Sequence, residues 1–139
     1  MAATTQTRDW CVTQERVNEA IRSIVEATHP LQILAFGSRA RGDHRVDSDL
    51  DLAVILDSEE AEVSPFPAYR AIEGIDMSVD ILVASRAKFD MMRPWLNSVY
   101  NYIDKEGVVL YDRDHPERAS AHALHHSGGR PGRSRSSAA

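Results

Sequence analysis

The sequence predicts an α/β domain, a small mixed β-sheet flanked by helices, and three observations carry that expectation. Four short apolar runs, at 31–36, 50–56, 78–83 and 108–111, have the length and composition of strands. Segments with helical spacing and capping residues alternate with them. The run from Leu50 to Leu56 is apolar on both faces after an acidic entry, as a central strand covered on both sides has to be.

The elements follow in order. Val17, Ala20, Ile21, Ile24 and Val25 fall on one face of a helix from Thr13 to Thr28. Thr13 caps it, and Pro30 stops it after His29. Leu31 to Phe36 is a buried strand ended by Gly37, and Leu50 to Leu56 is the second strand. The stretch Glu59 to Pro67 is acidic and broken by proline, hence a loop, with a short helix around Ala68 to Glu73. Ser78 to Val83 is a third strand carrying one acid, Asp80. Ser85 caps a helix through Met92, Pro94 opens another that runs to Lys105, and Gly107 ends it. Val108 to Tyr111 closes the sheet. Tyr100 and Tyr102 fall on opposite sides of their helix, so at least one contacts the core. Phe89 and Trp95 read as packing, or as a partner-facing patch if exposed.

Composition bounds the function. With 139 residues, the chain fits one domain that buries about two-thirds of its unfolded surface. Apolar residues are 42% and charged residues 27%, an ordinary balance. The longest uninterrupted apolar run has five residues, Leu52 to Leu56, too few to span a bilayer. The first residues lack a basic start and an apolar core, so no secretory signal is expected. Cys11 is the sole cysteine, which excludes an internal disulfide and fits a reducing, cytoplasmic setting. The net charge of −5 is uneven: four arginines against Glu117 make residues 115–139 basic by +3, leaving −8 on residues 1–114. A domain that acidic is a poor general binder of nucleic acid. The expected organisation is an N-terminal extension over 1–12, a domain over 13–114, and a disordered basic tail over 115–139.

The chemistry concentrates in Phe36-Gly37-Ser38 and Asp49-Leu50-Asp51-Leu52, with ten residues between Ser38 and Asp49. Residues two apart on a strand share a face, so Asp49 and Asp51 present both carboxylates to one side while Leu50 and Leu52 anchor in the core. Their Cα atoms sit about 6.5 Å apart, near enough for the side chains to converge on metal ions about 3.5–4 Å apart. Mg²⁺ suits such oxygen ligands and completes its shell with water and substrate phosphates. Asp80, flanked by Val79 and Ile81, joins them if its strand lies beside Leu50–Leu56. It would hold the second metal and help deprotonate an attacking hydroxyl. Gly37 permits a tight turn with close backbone approach to a phosphate, and Ser38 adds a hydroxyl donor. Arg39 and Arg41 add positive charge, and Arg41 can make a forked contact to phosphate oxygens. Gly42 ends the turn.

Taken together, these residues closely resemble the nucleotidyltransferase superfamily that includes DNA polymerase beta, and within it the small single-domain minimal nucleotidyltransferases. That pattern is a hydrophobic residue, Gly and Ser, about ten residues of spacer, then Asp, hydrophobic, Asp, hydrophobic, with a further acid on a later strand. Phe36-Gly37-Ser38, Asp49-Leu50-Asp51-Leu52 and Val79-Asp80-Ile81 meet every term. The resemblance covers roughly residues 14 to 112. It implies a polymerase-beta-like fold, two Mg²⁺ ions on Asp49 and Asp51 with Asp80 on one of them, and a triphosphate held by Gly37 and Ser38. It further implies transfer of AMP from ATP onto a hydroxyl, often a tyrosine, of a helical HEPN toxin, with this chain as antitoxin. No acceptor-holding domain is expected within the chain, so the acceptor would come from another protein or a dimer mate. A contact-only antitoxin and a small-molecule nucleotidyltransferase, such as an antibiotic-modifying enzyme, are the alternatives.

Overall fold

The first helix, α1 (Gln14–Thr28), forms where the apolar spacing places it, with Val17, Ala20 and Ile24 buried. The structure, a computed structural model, describes residues 12–43 and 48–119. The N-terminal extension up to residue 11 and the tail from residue 120 lie outside the described residues. Thr13 caps α1, its hydroxyl accepting from the Arg16 N–H at 3.2 Å. The described chain then alternates through β1 (Gln32–Phe36), α2 (Ser38–Arg41), β2 (Leu50–Leu56), α3 (Phe66–Ala71), β3 (Val79–Ser85), α4 (Arg86–Met92), α5 (Val99–Glu106) and β4 (Val108–Asp112), and its last described element is a 3₁₀ turn, Pro116–Arg118.

The strands form one mixed sheet in the order β3-β2-β1-β4. β1 is antiparallel to both β2 and β4, whereas β2 and β3 are parallel. Parallel neighbours need a crossover, and α3 supplies it. Each face of the sheet buries its own layer. On one, Leu50, Leu52, Val54, Ile33, Ala35 and Ile81 pack against Val17, Ala20 and Ile24 of α1 and Ala68 of α3. On the other, Leu34, Ala53, Ile55 and Ala84 meet Phe89 of α4 and Ile103 of α5. β2 is therefore covered on both sides, which is why its sequence is apolar in nearly every position. Among the described residues no helix is long and apolar enough to cross a membrane.

One expectation is corrected. Pro94 does not open a long helix: α5 starts only at Val99, capped by Ser98, whose hydroxyl accepts from the Asn101 N–H at 3.0 Å. That hydroxyl also reaches the carbonyls of Trp95 and Met92, at 2.8 and 3.1 Å, and Asn97 takes a positive φ of 74°. These local bonds fold residues 93–98 back as turns, a conformation Ser and Asn side chains stabilise in competition with helix. The described residues run past Asp114 to Ala119. The buried Asp112 carboxylate accepts from the backbone N–H groups of Asp114 and His115, at 3.1 and 2.9 Å, and so leads into the terminal 3₁₀ turn.

The aromatic residues sort as their surroundings dictate. Phe89 is buried and meets Tyr100 edge-on, at 6.4 Å between ring centroids. Tyr102 turns the other way and meets Phe36 edge-on at 6.3 Å. Trp95 is 64% exposed and Leu96 73%, with Met91 and Val99 exposed nearby in the chain.

Candidate active site

The parallel register of β2 and β3 sets Asp51 directly beside Asp80. Paired residues on adjacent strands point to the same face, and Asp49, two positions before Asp51, shares it. That face is the one covered further along by α4 and α5. The three acids stand at the strand ends, where Asp49 and Asp80 are exposed and Asp51 is half-buried. Phe36 pairs with Asp51 across the β1–β2 ladder, so the turn leaving β1 begins alongside the acids.

Gly37 has φ 80° and ψ −160°, a region essentially closed to residues with a side chain. A Cβ there would overlap Asp51 Oδ2 and stand 3.3 Å from the carboxyl carbon. The close neighbour of this glycine is thus the Asp51 carboxylate itself, and the two halves of the motif interlock. Ser38 then opens the single turn of α2, with the Arg41 N–H on the Gly37 carbonyl at 3.0 Å and the Gly42 N–H on the Ser38 carbonyl at 2.9 Å. Gly42, at φ 87°, ends the turn in the left-handed conformation.

The two arginines of the turn part company. Arg39 is buried, and its Nε and Nη2 both donate to the Ser48 carbonyl, at 3.2 and 3.1 Å. It fastens the residue just ahead of Asp49 to α2. Arg41 is exposed, donating from Nε to Asp43 at 3.1 Å and from Nη1 to the Tyr102 hydroxyl at 2.6 Å.

Burial first, then the negative charges of Asp80 and Asp49, push the Asp51 carboxyl above the usual carboxylate range, while Arg41 pulls it back. Each of the other two acids has a hydroxyl group beside it. Ser78, paired across the sheet end, donates to Asp49. Tyr69 of α3 lies 3.3 Å from Asp80 Oδ1, and its oxygen also accepts from the Ile81 N–H at 2.9 Å and reaches the Ile81 carbonyl at 3.1 Å. Among the described residues no three His, Cys, Asp or Glu side chains gather closely enough to hold a metal ion by themselves. What the site offers is an adjacent pair, Asp51 and Asp80, with Asp49 beside it. Such a donor set fits Mg²⁺, which usually takes one or two carboxylates and fills its remaining positions with water and substrate phosphates.

Sequence reading missed Tyr69, Ser78 and Tyr102. Each is an isolated hydroxyl without a motif, and only the fold brings it to an acid or to Arg41.

The chain belongs to the family described as "Polymerase beta, Nucleotidyltransferase", whose model matches residues 18–116. Asp49, Asp51 and Asp80 all lie inside the matched residues. Among solved structures, a protein of Sulfolobus solfataricus described as a candidate nucleotidyltransferase shares the fold, with a TM-score of 0.52 and 22% identity over 74% of this chain and 83% of that one. A toxin–antitoxin structure with AMP-PNP is more distant, with a TM-score of 0.48 and 17% identity over 78% of this chain and 82% of that one; that likeness bears no weight. No protein of curated function matches the chain.

Proposed function

We propose that this protein is a Mg²⁺-dependent nucleotidyltransferase that moves a nucleoside monophosphate, AMP from ATP, onto a hydroxyl of a partner protein in the cytoplasm. The observation that carries the reading is the register that sets Asp51 against Asp80, with Asp49 on the same face and the Gly37–Ser38 turn alongside. The half-buried Asp51 carboxylate, facing two further acids, is costly to ionise without a cation, and a purely structural role gives no reason to keep it there.

In this reading Asp49 and Asp51 would hold both metal ions and Asp80 one of them, and the ions would supply charge neutralisation on the triphosphate. The backbone of Gly37 and the hydroxyl of Ser38 grip the triphosphate, Arg41 faces its oxygens, and Arg39 keeps the approach to Asp49 in place. The acceptor oxygen attacks the α-phosphorus, the bond to the bridging oxygen breaks and pyrophosphate leaves. The acceptor proton passes to Asp80. Catalysis is then positioning and charge stabilisation, with no covalent enzyme intermediate.

The acceptor is proposed to be a helical HEPN toxin, with this chain as its antitoxin. The support is the match of residues 36–52 and 79–81 to the minimal nucleotidyltransferase pattern, together with the exposed Met91, Trp95, Leu96 and Val99, which give a protein partner an apolar surface to bury. That surface equally serves contact-only neutralisation.

The test uses ATP labelled at the α-phosphate, Mg²⁺ and the candidate toxin. Covalent labelling of the toxin, pyrophosphate release and no transfer from γ-labelled ATP are expected. Asp49→Asn should still bind the toxin but not label it. If Asp49→Asn protects cells as well as the wild type, the contact-only reading replaces this one. If a small hydroxylated compound is labelled instead of protein, the chain is a small-molecule nucleotidyltransferase.

A further inference from the structure

Arg41 is a long side chain on the exposed surface of a one-turn helix, yet it is held in a single direction. Its Nε donates to Asp43 and its Nη1 to the Tyr102 hydroxyl, the latter at 2.6 Å. Two of the five N–H donors of a guanidinium are so used, and the other three sit on the nitrogens at the tip. The charge is felt at Asp51, where it opposes the effect of the neighbouring acids.

Tyr102 comes from α5, 61 residues further along the chain. Its ring stands edge-on to Phe36, with an interplanar angle of 81°, and Phe36 is the cross-strand partner of Asp51. Ring and hydroxyl therefore have separable tasks. The ring fastens α5 to β1 and needs no oxygen for that. The hydroxyl reaches past the core to a cation beside the acids. A packing role alone accounts for the ring and leaves the oxygen unexplained.

We infer that Tyr102 is a positioning residue for nucleotide binding: its hydroxyl aims the Arg41 guanidinium at the triphosphate held beside Asp51. The inference rests on the nucleotidyltransferase reading and adds to it a residue outside the motif. An arginine with fewer accessible rotamers loses less freedom when it closes on an anion, so the fixed direction converts into affinity.

A double-mutant cycle tests it, with calorimetry of an ATP analogue uncleavable between the α- and β-phosphates, in Mg²⁺, as the readout. The proteins are the wild type, Tyr102→Phe, Arg41→Met and the double variant. Tyr102→Phe keeps the ring against Phe36, so its melting temperature should match the wild type. Each single variant should bind about tenfold more weakly, and the double variant no more weakly than Arg41→Met alone. A merely structural tyrosine would make the two losses multiply, and that result overturns the inference. So does a Tyr102→Phe protein that binds like the wild type. If the wild type itself fails to bind the analogue, the nucleotide site falls and this inference with it, a failure read from one protein without the cycle.

Discussion

Replacing Gly37 by alanine is the sharpest test of how the motif is built. The residue sits at φ 80° and ψ −160°, and an L-residue held there costs about 1–3 kcal/mol. The new methyl would also overlap Asp51 Oδ2. That atom is the end of a rotatable side chain, so the collision is relieved by swinging the carboxylate off its rotamer, at about 0.5–1.5 kcal/mol. The expected loss of stability is therefore about 2–4 kcal/mol, and each kcal/mol lowers the melting temperature of a domain this size by about 4–8 °C. The displaced carboxylate should abolish Mg²⁺-dependent triphosphate binding even where the protein remains folded. Denaturant melts of Gly37→Ala and of Gly37→Ala/Asp51→Ala separate the two contributions. The second protein should regain about 1 kcal/mol over the first, because the collision is gone while the backbone strain stays. A Gly37→Ala protein with wild-type stability and wild-type triphosphate affinity would refute the interlock between glycine and aspartate.

Three further outcomes are expected. With Asp51 in its proposed role as a metal ligand, Asp51→Asn should lower nucleotidyl transfer more than about a hundredfold. Its melting temperature in metal-free buffer should not fall, since the raised Asp51 pKa shows that the ionised form is disfavoured in the fold; a full-rate Asp51→Asn enzyme would contradict the site. Asp112 tests the pH dependence. Burial alone would raise its pKa, but the Gln32 amide and the backbone N–H groups of His115 and Asp114 outweigh it and hold the pKa below the ordinary value. The stability it supplies is complete above the unfolded carboxylate pKa of about 3.9 and is lost as pH falls through the lower folded value. Asp112→Asn should cost about 1–2 kcal/mol at neutral pH and flatten that acid limb, measured by melts from neutral pH downward. Finally, a chain ending after Asp114 should melt lower than the full chain, because it removes the 3₁₀ turn and the His115 N–H whose bond Asp112 accepts, as paired thermal melts would show.

How much of this was legible depended on the range of the interactions. α1 was readable because its cap and its apolar face lie within a few turns of each other, and β2 because five consecutive apolar residues follow its acidic entry. The acids were readable for the same reason: the alternation of a strand fixes which residues share a face. The start of α5 was not, since Pro94 is a permissible helix opener and only the turn bonds of Ser98 and the left-handed Asn97 overrule it. Tyr69, Ser78 and Tyr102 meet their partners across 11, 29 and 61 residues. No local pattern marks such contacts. Arg39 and Arg41 look alike in sequence, two residues apart, and are separated only by which side of a single turn faces the Ser48 carbonyl.

The bond between Tyr69 and β3 has a consequence for the open border of the sheet. β3 is the outermost strand on its side of the sheet, and an outermost strand leaves alternate N–H and C=O groups as a template for another chain. At Ile81 a phenolic oxygen engages both groups. The helix that carries this phenol also forms the crossover into the strand, so the segment that delivers β3 also occupies part of its open side, at Ile81 and next to the third acid.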